Sequence, residues 1–262
     1  MTVAQFRETV WAHYKKYGRH NLPWRKTHNP YRILVSEVML QQTQIERVTP
    51  LYKKFIQKFP TAKKLAAAPL SEVLRAWQGL GLNRRAKMLH TATKELTRKK
   101  VSTIAEWEAL PGVGPYTARA VAAFARNEDV IFIETNIRTA IIHHFFNKNT
   151  TLYRSVSDKQ IQEVLAKVLP KGKVREWYSA LMDYGAYLKR SGISHNARST
   201  TYAKQSKFVG SLREARGAIL RAHTEGVTSP ARLTALLGPA RRAQMKTALE
   251  ALRAEGLISG NL

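Results

Sequence analysis

Residues 110–134 read LPGVGPYTARAVAAFARNEDVIFIE, and the choice of fold turns on them. Gly112 and Gly114 flank one apolar residue, Val113, so the backbone is free to turn tightly and leave amide N–H groups uncovered. Such amides attract an anion. The segment Tyr116 to Arg126 carries Ala120, Val121 and Phe124 at helical spacing, which sets those amides at a helix N-terminus, where a phosphate is favoured. A turn of this build holds a nucleic-acid backbone without reading its sequence. The apolar run Val130 to Ile133 then stops at Glu134, a carboxylate just ahead of a helix expected to begin near Asn136. A buried approach that ends in a charge suggests an active-site wall.

Composition narrows the partners. The 262 residues suit a main body with a small appendage, and 44% apolar residues suffice for a core. Lys and Arg outnumber Asp and Glu by 44 to 18, and a formal charge of +26 points to polyanions. Cysteine is absent, which removes disulfides, thiol nucleophiles and cysteine-held metal sites. No cofactor and no metal is expected, so the chemistry falls to oxygen and nitrogen groups. No stretch approaches the ~18 apolar residues of a membrane span, and a cytoplasmic, nucleoid-associated protein with no membrane contact is the expectation.

Elsewhere the pattern is helical. Val3, Phe6, Val10 and Tyr14 form a stripe ended by Gly18, and a loop with two prolines, Leu22 to Tyr31, follows. Trp24 in that loop is either a core anchor or a surface for a base. Ser36 reads as the N-cap of SEVMLQQTQIERVTP, stopped by Pro50, with Glu37 in its first turn where the helix dipole favours a carboxylate. The amides of Gln41, Gln42 and Gln44 suit a polar partner better than a core. After Gly79-Leu80-Gly81 comes a helix with a basic start, Leu82-Asn83-Arg84-Arg85-Ala86-Lys87; a phosphate or plain solvation would reconcile those cations with the dipole. Thr135 and Asn136 are placed to cap Ile137 to Phe146, and the adjacent His143 and His144 read as structural. Residues 1–188 form the body, 189–211 a basic linker without acidic residues, and 212–262 three short helices and a strand, a winged-helix-like module.

Four blocks in order resemble the helix-hairpin-helix (HhH-GPD) DNA glycosylases, and most specifically their adenine glycosylase branch, MutY. These are Leu22-Pro23-Trp24-Arg25, Ser36 to Gln44, Gly79-Leu80-Gly81 with Arg85-Ala86, and Leu110 to Gly114 with Tyr116-Thr117. The resemblance covers roughly residues 6 to 188. It implies an all-α fold of two helical lobes and a monofunctional glycosylase of base excision repair, acting as a monomer on double-stranded DNA that holds a mispaired or damaged base.

By that resemblance the catalytic residues are Glu37, the acid that protonates a flipped purine, and Glu134, the carboxylate that stabilises or transiently bonds the oxocarbenium-like sugar, with Asn136 in support. Tyr116 stands where bifunctional relatives carry a Schiff-base lysine. DNA contacts are expected from Gly112, Val113, Gly114, Gln41, Gln42, Leu82, Asn83, Arg84 and Arg85, joined by Lys204 and Lys207 of the basic arm. Trp24, Arg25, Leu40 and Ser179 are expected at the base pocket.

The chain departs from the pattern in several places. Glu134-Thr135-Asn136 replaces Asp-Gly-Asn, and the extra methylene moves the carboxylate by about 1.5 Å. The four cluster cysteines are missing, with Lys189 at the first, so the basic arm is expected to do the cluster's work. Ser179 replaces a glutamine or glutamate at the purine edge, and Leu82 a wedge tyrosine. Adenine opposite 8-oxoguanine or guanine is the first expectation for the substrate. Mismatched thymine or uracil is the second, and a non-catalytic DNA-binding protein is the alternative of another class.

Overall fold

Asn29 caps the second helix of the chain and Pro30 starts it, so the cap lies seven residues before the one expected at Ser36. In the computed structural model, which describes residues 1–146, 155–200 and 207–258, α2 runs Pro30–Leu40. The Asn29 side chain accepts from the Arg32 amide at 3.2 Å, and Pro30 occupies the first helical position, where its missing N–H costs nothing. Ser36 is therefore mid-helix and fully buried. The expected single helix to Pro50 is instead broken over 41–44, and α3 runs Ile45–Lys58 with Pro50 inside it. Pro50 is exposed, so the carbonyl left without an N–H donor is open to water.

The described residues are helical throughout their regular structure, with one isolated β-bridge, Val156 to Ser199, and no named strand. The chain divides into two compact units, 1–34 with 114–204 and 35–113 with 205–262.

The first unit holds α1 (Val3–Tyr17), α8 (Pro115–Arg126), α9 (Thr135–Phe145), α10 (Asp158–Val168) and α11 (Val174–Arg190). Thr2 and Gln5 form a capping box at α1, which buries Phe6, Val10 and Tyr14. Helix α11 is the centre, because Trp177, Leu181, Tyr184 and Leu188 recur at helical spacing and α1, α8 and α9 all pack on it. Trp177 and Tyr178 are fully buried, and burying such a side chain stabilises by about 1.5–3 kcal/mol. The run Val130 to Ile133 is not a strand. It is held by Tyr178, whose hydroxyl donates to the Val130 carbonyl at 2.9 Å and whose ring stacks on Phe132 at 3.9 Å.

The second unit contains α3, α4 (Ala62–Ala67), α5 (Leu70–Ala76), α6 (Arg84–Arg98), α7 (Ile104–Glu108) and the tail helices α12 (Leu212–Thr224), α13 (Pro230–Ala235) and α14 (Arg242–Ala254). Trp77, fully buried, meets Phe55 edge-on. Helix α12 packs on α5, Arg216 pairs with Glu255 at 2.7 Å, and Lys87 donates to the Glu255 carbonyl. The tail is thus built into this unit. Of the expected terminal strand only Leu257 and Ile258 are described, both buried; 259–262 lie outside the described residues. No described helix is long and apolar enough to cross a membrane.

The first unit carries a pH dependence. Burial, with His143 and the terminal ammonium, pulls the His144 imidazole from 6.5 to about 4, and His144 shares a 2.7 Å hydrogen bond with the Tyr184 hydroxyl. Burial lowers His13, His143 and His195 as well. Below 6.5 the unfolded chain takes up protons that the folded chain refuses, so stability is full above that pH and falls continuously towards about 4. Thermal midpoints measured from pH 7.5 to 4.5 should drop below about 6.5, with a shallower drop in His144→Gln. An unchanged slope in that variant would assign the loss to other groups.

Candidate active site

Glu37 is the eighth residue of the eleven in α2, in the last turn rather than the first, and it is 6% exposed. The dipole there opposes a carboxylate, which removes the bland explanation of Glu37 as a charge drawn to a helix start. Leu40, half-buried, closes the helix. The turn beyond it holds Gln41, half-buried, and Gln42, exposed and left-handed at φ 54°. Leu82 is also left-handed, at φ 46°, and 38% exposed. A left-handed non-glycine residue costs roughly 1–2 kcal/mol and persists where its surroundings over-determine it, a condition that concentrates at functional sites.

At the basic start of α6 the two arginines take different surroundings. Arg84 is exposed, and Asn83 precedes it as a cap without a side-chain bond. Arg85 turns back into the protein and donates to the carbonyls of Val38 (2.8 Å), Met39 (3.1 Å), Leu80 (3.0 Å), Gly81 (3.2 Å) and Gln41, and to the Thr43 hydroxyl (3.1 Å). Carbonyl oxygens, rather than a partner's phosphate, meet this cation. Arg85 is expected from the sequence among the DNA contacts; in the structure its two terminal nitrogens meet six acceptors within the protein.

In the hairpin, glycine is required at 112 on two counts. Its φ is 75°, and a Cβ would come within 2.4 Å of the Met88 Cβ. Val113 is buried, its amide on the Leu110 carbonyl at 3.1 Å. Gly114 is extended and caps α8, with Pro115 next; a Cβ there would meet nothing within 4 Å, so this edge of the backbone lies open.

Glu134 caps its own helix, one residue before the expected cap. Its carboxylate accepts from the Asn136 amide (2.7 Å), the Asn136 side chain (3.0 Å) and the Thr135 hydroxyl (2.6 Å). Three donors fix the longer side chain. Against this turn lies Gly185 of α11, where a Cβ would sit 2.0 Å from the Asn136 carbonyl oxygen. One turn further on the same face is Lys189, half-buried. Burial lowers the Lys189 pKa and the charge of Glu134 opposes that shift. As a site residue Lys189 escaped the sequence reading, because nothing local links it to position 134. Tyr116 is half-buried with its ring edge-on to Phe132 at 5.5 Å.

Trp24 is 8% exposed, in a short 3-10 turn, Pro23–Lys26. Arg25 pairs with Asp183 at 2.7 and 2.9 Å and donates to the Ser179 carbonyl at 3.2 Å, while the Ser179 hydroxyl bonds the Arg175 carbonyl of its own helix. Arg19 completes the cluster through its amide, 2.8 Å from Asp183. Burial raises the Asp183 carboxyl, but Arg25 and Arg19 outweigh it and hold the pKa below its ordinary value. The polar groups of Arg25 and Ser179, expected at a base pocket, thus serve to lock the Trp24 turn onto α11. Lys207 is exposed, and Lys204 lies outside the described residues.

Among the described residues no group of three or more His, Cys, Asp or Glu is placed to hold a metal ion. A four-thiolate iron–sulfur cluster does not fit a chain without cysteine.

Comparison with known proteins identifies the family. Residues 35–171 match the model of the HhH-GPD superfamily base excision DNA repair proteins. An adenine DNA glycosylase of Mycolicibacterium smegmatis is 34% identical over 92% of this chain and 89% of its own. One from Buchnera aphidicola is 33% identical over 72% of this chain and 54% of its own, so the chain spans about half the length of that relative. A thermostable thymine-DNA glycosylase structure superposes with a TM-score of 0.61 and 28% identity, covering 70% of this chain and 86% of that one.

Asp183 is 2% exposed, so Asp183→Asn strands two arginines and should cost about 3–5 kcal/mol in chemical denaturation. Gly185→Ala should cost about 1–3 kcal/mol by overpacking and should displace the Glu134 turn. A neutral result for the alanine would mean that α11 shifts freely against that turn.

Proposed function

The chain belongs to the HhH-GPD superfamily of base excision DNA repair proteins, and on that footing we propose that it is a monofunctional DNA glycosylase that releases adenine mispaired with 8-oxoguanine or guanine. The observation that carries this reading is the contrast between two carboxylates. Glu37 is buried in the last turn of a helix, at the negative end of its dipole, the place of the acid that the family resemblance implies. Glu134 is gripped by three donors, which fix its carboxylate in place at the start of the next helix.

The division of labour follows from the bond. As the glycosidic C–N bond breaks, its electron pair goes to the base and positive charge develops on the sugar. Glu37 gives its proton to the purine, which leaves neutral. Glu134 stabilises the sugar cation, water adds at the anomeric carbon, and the water's spare proton is released. Tyr116 offers no amine for a Schiff base, so the product is an abasic site in an intact strand. The target nucleotide leaves the stack first, as enzymes acting on a base inside a duplex require. The open backbone at Gly114, Arg84 and the arm around Lys204 and Lys207 supply sequence-independent phosphate contacts, and the protein acts on duplex DNA as a monomer.

The likeness to a thymine-DNA glycosylase, together with a Ser179 hydroxyl bonded within its own helix, favours mismatched thymine or uracil as the second reading.

Base release from labelled duplexes carrying adenine, thymine or uracil in their mispairs tests the assignment. Adenine release seen as strand breaks only after hot alkali is the expected result. Pyrimidine release transfers the protein to the second reading, and release of nothing leaves a DNA-binding protein. Glu37→Gln should lower single-turnover release by about 10²–10⁴-fold with binding nearly intact; an unchanged rate removes Glu37 from the mechanism. Neutralising Lys204 and Lys207 together should reduce the salt slope of DNA binding by about one to two units, and a fixed slope would return them to solvated linker.

A further inference from the structure

A helix ends with its last four carbonyls short of N–H donors, and the helix that carries Glu37 ends inside the protein. For α2 those carbonyls belong to Glu37, Val38, Met39 and Leu40. Leu40 is met by the Thr43 amide at 3.2 Å. Val38 and Met39 are both met by one nitrogen of Arg85, which reaches them from across 47 and 46 positions of sequence. The same nitrogen holds the Gln41 carbonyl in the turn beyond. The second terminal nitrogen takes the Thr43 hydroxyl and the carbonyls of Leu80 and Gly81.

Three pieces of chain therefore share a single anchor: the end of α2, the turn holding left-handed Gln42, and the turn leading to left-handed Leu82. Each strained residue needs surroundings that leave it no alternative, and the Arg85 fork bonds residues on both sides of Gln42 and the two residues before Leu82. Charge and shape both favour arginine here. Burial lowers its pKa to about 10, so it remains a cation near neutrality, set at the negative end of the α2 dipole. A lysine carries its charge as a single point and has no planar fork to divide between two groups of acceptors.

We propose that Arg85 is the positioning residue of the reaction, fixing the backbone from which Glu37 delivers its proton and from which Gln42 and Leu82 approach the DNA. The role of Glu37 in this statement rests on the glycosylase reading above. A misplacement of about 1 Å in a reacting group costs on the order of 100-fold in rate. The loss should therefore appear in the chemical step rather than only in stability.

The test uses the full chain with Arg85→Lys and Arg85→Met. Met245→Ala, in a fully buried position of α14, serves as a control for destabilisation of the same unit. Single-turnover base release at saturating enzyme, well below every variant's thermal midpoint, is paired with amide hydrogen exchange. Both Arg85 variants should lose about 100-fold in the rate constant and exchange faster over 38–43. Met245→Ala should keep the wild-type rate constant despite a comparable loss of stability. Thr43→Val, which removes one acceptor of the six, should show a smaller loss of the same kind and covers the case in which the Arg85 variants do not fold. Wild-type rate constants in the Arg85 variants, or an equal loss in Met245→Ala, would overturn the proposal. If the wild-type protein releases no base at all, the glycosylase reading fails by itself. Exchange over 38–43 then decides: unchanged protection overturns the anchor, and a local gain upholds it as an organiser of the Gln42 turn.

Discussion

Backbone carbonyls at helix ends need donors, and in this protein arginine supplies them. Arg7 donates to the carbonyls of Lys167, Val168 and Leu169 at the end of α10, and Arg175 to Phe124 in the last turn of α8. Arg198 donates to Phe146 at the end of α9, and Arg85 closes α2. Four helices are thus finished by a guanidinium brought from elsewhere in the chain. Each bond meets a helix-end carbonyl that has no donor within its own helix, and places positive charge at the negative end of a dipole. The carbonyls take the place that acidic side chains would occupy in a chain with more of them.

The two carboxylates proposed for catalysis sit at opposite kinds of helix end. Glu134 is a cap at a helix start, where amides converge on it, whereas Glu37 lies in the final turn of its helix. The Glu134-Thr135-Asn136 sequence meets the requirement with a side chain one methylene longer, because Thr135 contributes a donor to the same oxygen as the Asn136 side chain.

Much of this was legible in the sequence where the signal is local. The Gly112 turn, the stripe of α11 and the three tail helices follow from glycine placement and apolar spacing within a few residues. The start of α2 was legible too, in Asn29-Pro30, but Ser36 offered a competing cap and the helical run behind it was too short to arbitrate. Strain at Gln42 and Leu82 leaves no mark on residue type, since neither is glycine. The partners of Arg85, Arg175 and Lys189 lie tens of residues away, and pairwise geometry of that kind is settled only by packing. For the same reason composition does not show which cations face a polyanion and which, like Arg85 and Arg175, are committed inside the fold.

An acidic side chain that balances a buried cation can be lost by a single base change, leaving the cation stranded. A peptide carbonyl cannot be mutated away. A lineage that ends its helices with guanidinium groups on main-chain oxygen can therefore shed acidic residues over generations while its architecture stays intact. The strongly basic composition of this chain is an outcome that such a fold permits.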